Sequence, residues 1–169
     1  MSFWDFFKGA DAKSENYGEI YNILQNRIPE LSHDEALKLA CISGLLARVA
    51  YADMQIDVEE VQKMNSHLQQ ELGLDSERAN LIVDLTVQKT KELAGLENHV
   101  YCNHLIDFID QNERLHFLVT LFQLAASDGS VDGVEVEEIR TIATALKLPH
   151  SDFVRAKATV ADRLAALKK

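Results

Sequence analysis

A chain of 169 residues, 47% of them apolar, is long enough to fold as one domain around a sizeable core. Its 17 basic and 27 acidic residues leave a net charge of −10, a surface that repels nucleic-acid phosphate and anionic lipid and attracts cations and basic protein surfaces. Two prolines and seven glycines exclude an all-β chain in practice, no apolar run reaches the roughly 18 residues of a membrane span, and two cysteines, Cys41 and Cys102, suit free thiols in a reducing compartment.

Met1 to Gly9 is crowded with Phe3, Trp4, Phe6 and Phe7. It carries neither the basic start nor the long apolar core of a secretion signal, so a cytoplasmic protein is expected. The aromatic rings either pack back on the body or form a short anchor for a membrane face or a partner groove. Lys8 alone supplies attraction to an anionic surface, and Asp5 and Asp11 oppose it, which favours a protein as the external contact. Ala10 to Asn16 is polar and reads as a linker, dividing an N-terminal segment, 1–16, from a helical domain, 17–169.

Tyr17 to Ile28 predicts a short amphipathic helix, with Ile20, Ile23 and Leu24 on one face, stopping near Pro29. Ser32 and Glu35 have capping-box spacing and open a long helix that buries Leu39, Ile42, Leu45, Leu46 and Val49. Asp57 and Glu60 form a second box ahead of Val61, Met64, Leu68 and Leu72, and Gly73 ends that helix. Ser76 starts the next, through Ile82, Leu85 and Val87 towards Leu93, and Asn98 to Ile109 is shorter. Asn112 is expected to cap a helix through Leu115, Leu118, Phe122 and Ala125. Asp132 and Glu135 open another, through Val136, Ile139, Ile142 and Leu146. Pro149 interrupts the chain, and Ser151 begins a last helix through Leu167. No segment alternates with the period of a strand, so the expectation is an all-α, single-domain bundle of about eight helices.

Two of these junctions share one pattern at a constant offset of 75 residues. Ala52-Asp53-Met54-Gln55-Ile56-Asp57-Val58-Glu59-Glu60 lies over Ser127-Asp128-Gly129-Ser130-Val131-Asp132-Gly133-Val134-Glu135. Leu46 with Leu121, Ala50 with Ala125, Val61 with Val136 and Met64 with Ile139 extend the register on both sides. The pattern predicts an internal helix–turn–helix duplication, with an acidic turn in each copy and an approximate twofold relation between them.

This arrangement resembles the TerB-like family, named for tellurite resistance protein B. The resemblance rests on the turn Ala-Asp-Gly-x-(Ile/Val)-x-x-x-Glu, met by Ala126-Ser127-Asp128-Gly129-Ser130-Val131 and Glu135, and in the first copy by Ala52-Asp53, Ile56 and Glu60. It covers the chain from about Ser32 onward. Met54 replaces the usual Gly of the first copy, and Ser127 replaces the common Ala before Asp128. The resemblance implies a helical bundle with pseudo-twofold symmetry and acidic surface clusters. It also implies roles in stress response, such as resistance to tellurite-type metal oxyanions, and in membrane-associated complexes, with proposed metal binding and no known reaction. That places the protein in the cytoplasm, free or peripheral to the inner membrane, with a protein partner.

The acids of the two turns admit two readings. As metal ligands, Asp53, Asp57 and Glu60 in the first turn and Asp128, Asp132 and Glu135 in the second would offer hard oxygens to calcium or magnesium. Asp53 and Asp128 close their helices at the negative end of the macrodipole, where something positive or an amide-rich helix start must offset them. The second turn would be the better site, because Gly129 and Gly133 let it bend where Met54 and Val58 stiffen the first. As caps, Asp57 and Asp132 with Glu60 and Glu135 satisfy free backbone amides, and Asp53 and Asp128 accept turn amides. An EF-hand fits Asp128-x-Ser130-x-Asp132-Gly133 but fails at Glu135 and Ile139. His99, Cys102 and His104 do not share one helical face, so a core cysteine with surface histidines is expected there rather than zinc. No nucleophile elbow, phosphate loop, dinucleotide fingerprint or metalloprotease motif occurs, which points away from an enzyme. The two open classes are therefore a cation-responsive resistance module and a helical protein–protein adaptor.

Overall fold

The computed structural model describes residues 13–52, 58–94 and 98–164. They form α1 (Lys13–Arg27), α2 (His33–Ala52), α3 (Val58–Leu72), α4 (Ser76–Ala94), α5 (Asn98–Phe108), α6 (Gln111–Ala125), α7 (Gly133–Ala145), α8 (His150–Ala158) and a 3-10 turn, Ala161–Arg163. Among the described residues there is no strand, only an isolated parallel bridge between Val131 and Leu164. The all-α expectation holds. The aromatic residues Phe3 to Phe7 and the first acidic turn, Asp53 to Asp57, lie outside the described residues.

Helix α2 is the central element, packed against α1, α4, α5, α6 and α7. Glu35 N–H donates to Ser32 Oγ at 3.2 Å and Ser32 N–H to Glu35 Oε2 at 2.9 Å, which closes the predicted capping box at its start. The Ser32 N–H, with the Ser32 hydroxyl that donates to the same Oε2 at 2.8 Å, holds the Glu35 carboxyl below its ordinary value. Beyond the cap, Ala36, Leu37, every residue from Leu39 to Ala47, and Val49 are buried. A helix apolar on nearly all faces can sit only in the middle of a bundle. Gly44 is what lets α5 approach: a Cβ there would overlap Cδ1, Cε1 and Cζ of the fully buried Tyr101.

Three helix boundaries and the burial of one residue differ from the sequence reading. Helix α1 begins at Lys13, because Lys13 to Asn16 contains no helix breaker and the helix continues past its first apolar residue. Asp110, not Asn112, caps α6: its side chain accepts from Glu113 N at 2.9 Å, and Glu113 Oε2 accepts from Asp110 N at 2.9 Å. Val87 is 39% exposed rather than core. The last helix ends at Ala158, where Thr159 and Val160 tighten onto the Ala156 and Lys157 carbonyls and Val160 and Leu164 turn inward.

Helix α7 ends in a Schellman motif, with Lys147 N–H on the Thr144 carbonyl and Leu148 N–H on the Ala143 carbonyl, both at 3.0 Å. The motif forces Lys147 to φ 56°, a left-handed conformation that an L side chain opposes. Lys147→Gly is therefore expected to raise stability by about 0.5–1 kcal/mol, read as a higher denaturant midpoint at unchanged m-value. A lower midpoint would show that the Lys147 side chain contributes more than its backbone costs.

Candidate functional site

The second acidic turn joins α6 to α7. Helix α6 ends at Ala125, and Gly129 N–H returns to the Ala126 carbonyl at 3.0 Å, with Gly129 at φ 95°. Only glycine adopts that angle without strain, which explains the glycine at this position. Gly133 is different from what its sequence position implies. Its backbone is not left-handed, and it is the first residue of α7 rather than a bend of the turn.

Each second-turn acid engages backbone amides. Asp128 Oδ1 accepts from Ser130 N at 2.8 Å. Asp132 Oδ1 accepts from Val134 N at 2.8 Å and Glu135 N at 2.9 Å, and Glu135 Oε2 accepts from Asp132 N at 2.8 Å. The Asp132–Glu135 capping box is thus closed in both directions. Glu135 is buried, whereas Asp128 and Asp132 are exposed. Asp132→Ala is expected to cost about 1 kcal/mol of stability, the usual loss for a helix cap. An unchanged melting transition would remove the capping role. Of the first-turn candidates, Asp53 and Asp57 lie outside the described residues, as does the side chain of Glu60.

The positive charge demanded at the end of α6 is supplied by two basic side chains that the sequence does not single out. Lys63, on α3, donates from Nζ to the Ser127 carbonyl at 2.5 Å. Arg163, in the 3-10 turn, donates to the Ala126 carbonyl at 3.3 Å, while its own carbonyl accepts from Val131 N at 2.8 Å. Val131, almost fully buried, is pinned between the two acids Asp128 and Asp132. The C-terminal segment therefore straps the turn to the body. Among the described residues no three Asp, Glu, His or Cys side chains come close enough together to share a metal ion.

Elsewhere, Arg48 Nε donates to Glu138 Oε1 at 2.7 Å and ties α2 to α7, with both side chains about one-fifth exposed. Cys102 is fully buried with Sγ 4.0 Å from the Ile142 carbonyl, and burial pushes its thiol up to about 12. It is protonated at neutral pH, as a core cysteine should be. His104 is half-buried, and desolvation lowers its pKa against the opposing charge of Asp107. The side chain of His99 is outside the described residues.

Residues 38–158, well over half of the chain, match the model of a family described as Tellurite resistance protein TerB. No curated protein and no solved structure matches the chain. No helix among the described residues is long and apolar enough to cross a membrane.

Proposed function

The chain belongs to the TerB family, and on that premise we propose that it is a non-catalytic binding module serving stress or metal-oxyanion (tellurite-type) resistance. It acts through a protein partner, with the second acidic turn as a rigid joint that fixes α6 against α7. The observation that carries this reading is how the acids are used: Asp132 and Glu135 close a capping box, and Asp128 holds the turn through Ser130. Buried, protonated Cys102 adds no nucleophile. Deleting the gene and scoring growth on tellurite tests the resistance role. Greater sensitivity that the intact chain reverses supports it, and unchanged sensitivity would overturn it.

A second reading, divalent-cation binding at the same turn, is favoured by one feature. Asp128 and Asp132 are exposed and make their backbone bonds through Oδ1, so a calcium or magnesium ion could approach from solvent. Calorimetric titration of metal-free protein with calcium, magnesium and manganese separates the two. A binding isotherm lost in Asp128→Asn gives the turn to a cation. Flat titrations leave it a joint and the protein an adaptor.

A further inference from the structure

The seam between α1 and α4 leaves apolar surface half covered. A groove of about 560 Å³ opens there, between Arg27 and Ile28 at the end of α1 and Glu77, Leu81 and Asp84 along α4. Ile28 is buried and Leu81 only partly so, while Arg27, Glu77 and Asp84 are exposed. Val87 follows Asp84 at the spacing of one helix face and is 39% exposed. Ile23, one turn before Arg27 on α1, is also partly buried. A groove of this size takes a group larger than one side chain, and its apolar floor favours a ring over a polar ligand.

We propose that this groove is the docking site of the chain's own aromatic segment, Phe3, Trp4, Phe6 and Phe7, whose rings cover Leu81. The segment lies outside the described residues, and its reach is set by the chain that joins it to α1. Arg27 stands fourteen residues along α1 from Lys13, about 21 Å. Laid back along the helix, the six residues from Lys13 to Phe7 span roughly 20 Å, and the ten to Phe3 roughly 33 Å. All four rings therefore reach the groove without slack to spare at Phe7. Its rim offers a base, Arg27, for Asp5 and the acids Glu77 and Asp84 for Lys8. A tether this short holds the rings at an effective concentration in the millimolar range, so even a weak apolar contact is filled. A separate partner or a membrane lacks that advantage, and an anionic surface also meets the net charge of −10. The inference is independent of the resistance and cation readings.

The test reads Trp4, the only tryptophan of the sequence, in the full-length protein. Glu77→Cys puts a thiol on the rim for a bimane label, whose emission tryptophan quenches on contact. Cys41 and Cys102 are buried, which leaves the label to the new site. The labelled protein is compared with the same protein carrying Trp4→Phe, which keeps an aromatic ring and removes the quencher. With Trp4 present the label is expected to lose at least about half of its emission, by the same amount at every dilution. Unlabelled wild type should show blue-shifted Trp4 emission, shielded from iodide and unchanged by phosphatidylglycerol vesicles. Equal label emission with Trp4 and with Trp4→Phe overturns the inference, wherever else the indole is buried. Quenching that fades on dilution also overturns it and gives the groove to the segment of a second copy. Emission of a solvent-exposed indole that shifts blue only with vesicles overturns it in favour of a membrane anchor. Melting checks that the labelled protein is folded; if Glu77→Cys lowers the transition, Ser76→Cys, exposed on the same rim, carries the label instead.

Discussion

Gly44→Ala is expected to destabilise the protein by about 3 kcal/mol or more, at the upper end of overpacking costs, because the added methyl must enter the space of a fully buried ring. For a chain of this size that lowers the melting temperature by roughly 6–12 °C. The neighbour cannot give way cheaply. Tyr101 lies on α5 inside the interface with α2, with no exposed side towards which it could turn, and its hydroxyl is so thoroughly desolvated that burial holds it protonated. An exposed mid-helix Gly→Ala change would instead stabilise by up to about 1 kcal/mol, so the sign of the effect is itself diagnostic. Tyr101→Leu in the Gly44→Ala background should recover part of the loss, giving a double-mutant cycle far from additive. Strict additivity of the two changes would show that Tyr101 is not what the methyl strikes.

How far the sequence reaches into this structure depends on how local each determinant is. The boxes at Ser32–Glu35 and Asp132–Glu135 are legible because cap and acceptor lie three residues apart, and both close as that spacing implies. Asp110–Glu113 carries the same signal and outranks Asn112, which falls at the second position inside the helix. The core of α2 is legible from its apolar density. Gly44 within that density is a sign of close helix approach, which periodicity alone does not weigh. The acidic turn and the family can be recognised from Ala126 to Glu135. What holds the turn cannot: Lys63 reaches it across 64 residues of sequence and Arg163 across 37. The same distance effect ends the last helix early. Its apolar pattern continues towards Leu167, but Val131 offers a backbone N–H to the Arg163 carbonyl, and Leu164 is buried beside that bond. Tertiary pairing outweighs local propensity there.

Phe122→Ala should cost about 3–5 kcal/mol, the range for removing a buried ring and leaving a cavity. Phe122 is fully buried on α6, and its ring meets that of Phe153 on α8 at 5.6 Å between centroids, tilted by 56°. Phe153 in turn carries the Arg140 guanidinium at 4.9 Å and the His150 ring at 5.9 Å. Losing Phe122 therefore loosens α8 as well as the core. Helix α8 leads directly into the 3-10 turn that places Arg163 on Ala126 and pairs its carbonyl with Val131 N. The damage should accordingly travel to the acidic turn. Hydrogen exchange is the discriminating measurement: the Val131 amide should lose more protection than amides in the middle of α2, which has no part in the Phe122–Phe153 contact. Phe122→Leu keeps most of the volume and should do both things more weakly. A uniform loss of protection would mean that the C-terminal strap opens only with the whole molecule. A loss concentrated at Val131 makes it a separately opening unit, with Phe122 setting how often the acidic turn is released.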